Sequence, residues 1–439
     1  MMIKKKIKSF DLSFKTTVNY ISPKTYKELE NISKRSKKII TMGNNHSYAP
    51  IFFEKKSLSI DTKNFKKIIN FNKNKKEITV ESGLEFVELL NFTLKHNLWI
   101  QHIPGYPNIT IGGAVAANIH GKTAQKNGTI RNSVKEILLF HKKKGWLKLS
   151  NKQNKEIFEL TLGGLGLTGT IVRVTLKLSY FNHKIILKKK LIKNFNEAIN
   201  FLRIKKKSSF SYSWHDSSCN SSLGKGIIFS HQFVKEKKKN HIVIILKKKL
   251  SQLGFVFPFS LWNRVSVFFA NFIFYYLNSI TKFEQINFID SIFPFYGKEN
   301  YFKFFGNKGF VEYQVLIPEK NINKFIQEFE NLIKEYKPLI TLISLKYLGG
   351  SHTLLRFEGN SPCLTINFVN NSKNLLFINL MHNLLIKYNC LPNIIKNSLL
   401  KKEIVKKCYN NELVKFKKKL LSFDKNRIYV SEVSKRLCL

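Results

Sequence analysis

Between Pro104 and Lys122 the chain reads Pro-Gly-Tyr-Pro-Asn-Ile-Thr-Ile-Gly-Gly-Ala-Val-Ala-Ala-Asn-Ile-His-Gly-Lys, and no other stretch constrains the fold as tightly. Gly112, Gly113, Ala114, Ala116 and Ala117 remove side-chain bulk from nearly every position of a short window. Main-chain N–H groups there can approach a phosphate or a flat ring that a branched side chain would hold away. His120, Gly121 and Lys122 follow at once, two polar side chains flanking a residue with free φ. Two readings fit such a stretch: a cradle for a bound cofactor, or a tight bend in a packed sheet corner.

A second glycine turn lies upstream. Ile39-Ile-Thr-Met42 has the composition of a short apolar strand and runs into Gly43-Asn-Asn-His-Ser-Tyr48, residues that tolerate left-handed backbone and leave main-chain donors free. The spacing matches neither G-x-G-x-x-G nor G-x-x-x-x-G-K-[ST], so neither of those phosphate-binding loops is indicated. A third turn, Thr161-Leu-Gly-Gly-Leu-Gly-Leu-Thr-Gly169, leads into the alternating strand Ile171–Leu178. Three such turns within the first 170 residues exceed what one fold corner needs.

In chain order, the Gly43 turn, Leu58-Ser-Ile-Asp61, a helix-like Asn64 to Ile69, Ile78-Thr-Val-Glu-Ser-Gly83, a helix ending at Asn97-Leu-Trp99, the Pro104–Lys122 stretch and Thr161–Gly169 can be set side by side with a known pattern. They resemble the FAD-binding domain of the PCMH-type flavoproteins, the vanillyl-alcohol-oxidase superfamily. Within it the chain resembles the decaprenylphosphoryl-ribose 2-oxidases and their bacterial relatives, through Tyr212-Ser-Trp214, Gly309–Gln314, Leu345–Gly349 and the tail Arg427–Leu437. The resemblance implies an α+β, two-domain flavoprotein. Residues 1–182 would form the FAD-binding domain, 183–390 an α+β substrate-binding cap, and 391–439 a segment returning to complete the FAD domain.

The same resemblance implies where the cofactor is held. FAD contacts are expected at Gly43, Asn44, Asn45, His46, Ser47 and Tyr48, at Pro104, Gly105, Thr110, Gly112, Gly113, Ala116, Asn118, His120, Gly121 and Lys122, and at Gly166, Thr168, Gly169 and Ile171. Lys396, in Pro392-Asn-Ile-Ile-Lys-Asn397, matches a lysine beside flavin and substrate; with His120 and Lys346 it makes the expected catalytic set. Trp214, Gln314, Lys346 and Thr365 match the substrate pocket, and no metal site is implied. A lysine so placed stabilises an anionic flavin edge or a developing alkoxide, and burial lowers its pKa toward base work.

Two departures stand out. Where the phosphoribose oxidases carry a reactive cysteine, Ser361-Pro-Cys-Leu-Thr-Ile-Asn-Phe368 places Thr365, with Cys363 two residues earlier on the same strand face. Where they show arginine in the first glycine turn, this chain has His46, as in alditol and aldonolactone oxidases whose histidine links covalently to flavin. Non-covalent FAD is the expectation, with a covalent bond through His46 as the alternative.

Composition bounds the rest. The chain has 439 residues, 43% of them apolar, enough for two cored domains. Lysine and arginine number 75 against 28 acidic residues, a formal net charge of +47. Such charge fits nucleic acid or an anionic surface. Its lysines, however, are scattered in short runs such as Lys142–Lys144, Lys205–Lys207, Lys237–Lys239 and Lys247–Lys249, with no zinc-finger spacing or RNA-binding aromatic signature, so nucleic acid is not expected. Excess Lys, Asn, Phe and Ile, whose codons are AT-rich, also fits an AT-rich genome. Five cysteines without a C-x-x-C and a basic start without an apolar leader point to the cytoplasm. The most apolar stretch, Leu253–Ile280, is interrupted by Pro258, Arg264 and three asparagines; buried helices are expected there, or a face lying on lipid.

The function expected is FAD-dependent oxidation of a secondary sugar hydroxyl to a ketone, the first choice being the 2-hydroxyl of a polyprenyl-phosphoryl pentose. A short-chain reductase partner would complete an epimerisation, and a peripheral membrane contact fits a lipid-linked substrate. The alternatives are an alditol or aldonolactone oxidase and, from another class, a basic nucleic-acid- or membrane-binding protein whose glycine turns are structural.

Overall fold

The structure is a computed structural model describing residues 2–181, 183–204, 209–219, 221–235 and 256–439. Ile39–Met42 forms the expected strand and pairs in parallel with the strand Leu58–Asp61, Met42 opposite Asp61. With Ile3–Lys8 and Lys15–Ile21 they make a four-stranded sheet in which Ile39, Ile40 and Ile60 are wholly buried. A second sheet of five strands runs Ile68–Asn72, Glu77–Glu81, Thr170–Lys177, Val134–His141, Gly145–Ser150.

Asn64 to Ile69 is not helical. Phe65 N–H bonds back to Thr62 O at 2.8 Å, and Phe65 O accepts from Gly83 N–H at 2.7 Å, so the backbone is committed to a turn and to its neighbour strand before a helical turn can close. The segment leads into the strand Ile68–Asn72 instead.

Residues from 183 onward build an eight-stranded sheet in the order Phe283–Ile286, His183–Ile192, Gly226–Lys235, Phe210–His215, Ile340–Leu348, Ser361–Val369, Phe310–Leu316, Leu391–Pro392. Every pairing is antiparallel, and side chains alternate between its faces. One face is apolar and packed by helices. The Phe195 ring of Phe195–Arg203 lies 4.5 Å from that of His215, and Phe377 of Ser372–Lys387 lies 5.7 Å from Phe368. Ile322–Tyr336, whose apolar spacing in the sequence reads as a helix, is helical and buries Ile322, Phe325, Ile326, Phe329 and Ile333.

The chain end pairs with the first sheet: Ile39 N–H donates to Ile428 O and Val430 N–H to Ile39 O, both at 2.9 Å, with Tyr429 buried between. Before it runs the basic helix Lys402–Phe423, kinked at Asn410. Within the expected apolar stretch, Arg264–Ile280 is a helix that buries only Val267 and Asn271, so the expectation of buried helices fails for the described part. Its inner side packs on the sheet; nothing among the described residues covers the outer side. Ile242–Leu246, an apolar run that reads as a strand in the sequence, and the lysine runs at 205–207, 237–239 and 247–249 lie outside the described residues. No helix among the described residues is long and apolar enough to cross a membrane.

Candidate active site

In the turn after Ile39–Met42, Asn44, His46 and Tyr48 turn their side chains onto protein. Asn44 Nδ2 donates to Glu85 Oε1 at 2.8 Å and to Asn108 O at 2.9 Å. Tyr48 stacks on Phe10 with ring centroids 5.2 Å apart, and His46 sits between Phe10 and Tyr106. Asn45 adopts φ 59°. Among the described residues no main-chain N–H from Asn44 to Tyr48 is taken by another protein group. A run of free amides around a left-handed residue is an anion-binding concavity.

The Pro104–Lys122 stretch becomes a loop, the short helix Ile111–Ala116, and an extended exit. Thr110 caps the helix, its Oγ1 accepting from Gly113 N–H at 3.3 Å. The missing side chains serve more than one purpose. A Cβ on Gly112 would lie 2.7 Å from Ser82 Cβ, and one on Gly121 2.8 Å from Ile103 O, so those two positions are small because protein packs on them. Gly105 has open space where its Cβ would point, and Gly113 is exposed. Asn118 is buried, its Nδ2 donating to Glu358 Oε1 at 2.5 Å and its Oδ1 accepting from Thr129 Oγ1 at 2.9 Å; its side chain ties the loop to the large sheet's connection. In the third turn Gly166 takes φ +74°, Thr168 Oγ1 accepts from Thr161 Oγ1 at 3.0 Å, and Gly169 leads into the strand carrying Ile171.

His120 and Lys122 reach the polar face of the large sheet. Register places Tyr212, Lys346 and Cys363 in one row across it, and Trp214, Ser344, Thr365 and Gln314 in the next. His120 Nε2 is 3.0 Å from Gln314 Oε1 and His120 Nδ1 is 3.1 Å from Lys346 Nζ. Because the ammonium donates to Nδ1, the ring's own proton sits on Nε2 and points at the amide oxygen. Gln314 is fixed by further bonds: Oε1 accepts from Asn393 Nδ2 at 2.6 Å, Nε2 donates to Thr365 Oγ1 at 3.0 Å, and its N–H donates to Asn397 Oδ1 at 2.6 Å. Lys122 Nζ lies over the Tyr212 ring at 3.7 Å. Lys396 Nζ lies 3.3 Å from Glu312 Oε1 and 3.7 Å from the Tyr48 ring centre, joining the glycine turn to the sheet face.

Desolvation and crowded positive charge set the protonation of this cluster. Burial, then the Lys346 charge, pushes His120 well below its ordinary 6.5. Burial lowers Lys346, and burial followed by the Lys346 charge brings Lys122 down to about 7. Burial raises the Cys363 thiol to about 11, a poor nucleophile at neutral pH. His46 falls to about 4 through burial.

The structure thus brings together His120, Lys346, Gln314 and Thr365, with Lys122 and Lys396 at either side. Trp214 stands apart from them in an apolar cluster with Leu187, Ile227 and Phe229, its ring 4.8 Å from Phe274 of the exposed helix. Sequence reasoning missed Tyr212, Glu312 and Asn393. Strand alternation carried the signal for the first two, which sit two residues before Trp214 and Gln314 and so share their face. Nothing local marks Asn393.

A two-sheet N-terminal part with three glycine turns, facing a large antiparallel sheet, defines a class, and comparison with known proteins agrees. Residues 19–149 match the family described as FAD binding domain, so the chain carries a PCMH-type FAD-binding domain and FAD is its cofactor. The chain is 25% identical over 303 residues to a Mycolicibacterium smegmatis protein named decaprenylphosphoryl-beta-D-ribose oxidase, the match covering 65% of each chain. It is 26% identical over 144 residues to L-gulonolactone oxidase of Mus musculus, covering 33% of this chain and 32% of that one. To a mitochondrial L-galactono-1,4-lactone dehydrogenase of Arabidopsis thaliana it is 30% identical over 111 residues, 25% of this chain and 18% of that one. Matched stretches therefore span less than two thirds of these relatives. The residues present fit FAD: the free amides of Asn44–Tyr48 suit a pyrophosphate, and the buried amide oxygens of Asn45 and Asn108 beside them have no partner among the described residues.

Proposed function

We propose that this protein is an FAD-dependent oxidoreductase that converts a secondary hydroxyl of a sugar to a ketone, with the 2-hydroxyl of a polyprenyl-phosphoryl pentose as the preferred substrate. The observation that carries the reading is the His120–Lys346–Gln314 junction, where the FAD-domain loop meets polar side chains of the large sheet at 3.0 and 3.1 Å. The Gly43–Tyr48 amides would hold the pyrophosphate, with the Pro104–Gly113 and Gly163–Gly169 turns along the rest of the cofactor. A bound flavin supplies the acceptor for the hydride leaving the carbinol carbon.

The protein's own groups handle the proton and the charge. Lys346, with its lowered pKa, takes the hydroxyl proton when neutral while its remaining N–H still donates to His120 Nδ1. His120, held neutral, orients that amine rather than adding a competing charge. Lys396, partnered by Glu312, supplies positive charge to a developing alkoxide. Gln314, fixed by Asn393 and Asn397, has one amide N–H left for a sugar oxygen.

His46 and the lactone-oxidase names among the relatives support a second reading, an alditol or aldonolactone oxidase. We favour FAD held without a covalent bond, because His46 is wedged between the rings of Phe10 and Tyr106. Acid precipitation should then leave the flavin in the supernatant; colour retained by the pellet and lost in His46→Ala would favour the lactone branch. Anaerobic flavin bleaching decides the substrate. Rapid bleaching by a polyprenyl-phosphoryl pentose supports the first reading, and bleaching only by free alditols or lactones overturns it. A short-chain reductase accepting the keto sugar is the partner this reaction calls for.

A further inference from the structure

The helix Arg264–Ile280 carries its largest side chains outward. Phe268, Phe269, Phe272, Ile273, Tyr276 and Leu277 are all exposed, Phe269 by 56% and Phe272 by 60%, although a helix of this composition ordinarily buries such a stripe. The opposite side is anchored. Asn271 Nδ2 donates to Asp216 Oδ1 at 2.7 Å, Phe274 packs on Trp214, and the Asn263 side chain accepts from Ser266 N–H at 2.9 Å to cap the first turn. The outer stripe is therefore presented by a fixed helix roughly 25 Å long.

Charge tells what covers it. The helix bears no acidic residue, and Arg264, Lys225, Lys282 and Lys188 are exposed around it. Lys225 Nζ lies 4.1 Å from the centre of the Tyr275 ring, and Lys188 Nζ 5.8 Å from that of Phe283 just beyond the helix. An apolar stripe edged by cations on a chain of net charge +47 suits anionic headgroups and repels a second copy of itself. The helix is too short to cross a bilayer, so it would lie in the interface plane.

We propose that Arg264–Ile280 docks this protein on the surface of an anionic lipid bilayer, its aromatic stripe among the headgroups. The helix packs on the sheet face that also carries Tyr212 and Lys346, with Trp214 against its inner side, so docking brings that face beside the membrane. This extends the proposed lipid-linked substrate but does not depend on it, since vesicle binding is measured without turnover.

The test is co-sedimentation of the flavin-loaded protein with phosphatidylcholine vesicles, with and without phosphatidylglycerol. The wild type should bind the anionic vesicles. A Phe269→Ser, Phe272→Ser, Leu277→Ser variant should bind at least ~10-fold more weakly, since three large side chains no longer leave water, with unchanged flavin content and bleaching. Lys225→Glu with Lys282→Glu should weaken binding to anionic vesicles alone. The proposal is overturned if the wild type does not bind, if the triple variant binds equally well, or if the stripe instead holds a dimer that the triple variant dissociates.

Discussion

The turn Gly43–Tyr48 and the strand Phe310–Leu316 meet at Lys396, which touches Tyr48 on one side and Glu312 on the other. In the turn, the side chains of Asn44, His46 and Tyr48 are engaged by protein and main-chain N–H groups remain over. In the strand, the main chain is consumed by pairing with Ser361–Val369 and Leu391–Pro392, and side chains remain over. A site built from amides depends on backbone shape and tolerates side-chain change away from the close approaches. A site built from side chains depends on identity at single positions. Damage to the two should therefore differ in kind: cofactor content on the glycine side, rate with cofactor retained on the sheet side.

The largest effect is expected from Gly113→Val. A Cβ there would stand 2.9 Å from Thr110 Oγ1, the atom that caps the helix, and a branched side chain would project where the backbone is now exposed. Flavin absorbance of the purified variant should collapse while its far-UV circular dichroism stays close to wild type. Full flavin occupancy would break the comparison at its glycine side.

Lys396→Ala comes next. It should fold and retain FAD, yet flavin reduction by substrate should slow by ~100-fold or more, the loss expected when one preorganised charged donor is removed. Lys396→Arg should also be slow, because a planar guanidinium cannot occupy the place of a compact ammonium between a ring face and Glu312. Stopped-flow bleaching measures both, and a near-normal rate in Lys396→Ala would take the residue out of the reaction.

The smallest effect is a displacement along the pH axis. His120 is depressed first by desolvation and then by the Lys346 charge, so it stays neutral well below 6.5. Lys346→Met removes that charge, and the His120 pKa must rise. If neutral His120 is required, the acid limb of kcat/KM moves to higher pH on top of any loss in amplitude. An acid limb that does not move would mean that neither His120 nor Lys346 is the group titrating, nor Lys122, whose pKa the Lys346 charge also lowers.

Legibility in the sequence followed the same division. The three glycine turns, the strand Ile39–Met42 and the helix Ile322–Tyr336 are readable because turn chemistry and periodicity are encoded within a few consecutive residues. Asn64–Ile69 reads as helix locally, but its outcome hangs on Gly83, whose amide claims the Phe65 carbonyl. The motif places Asn118 near the cofactor; that its side chain also bonds Glu358, 240 positions away, is a contact no local pattern shows. The exposure of Arg264–Ile280 was equally hidden, since an apolar stripe reads the same whether protein or solvent lies beyond it.

By itself the sequence determined that main-chain amides would be free near Gly43 and that bulk would be absent near Gly113, since both follow from residue types acting on their own backbone. Only the tertiary structure decided that His120 would lie 3.0 Å from Gln314 and 3.1 Å from Lys346, and that Lys396 would sit between Tyr48 and Glu312. Those meetings depend on strand register and on how the loop seats against the sheet. Register is a property of many paired residues at once, and a slip of one would turn every one of these side chains to the opposite face.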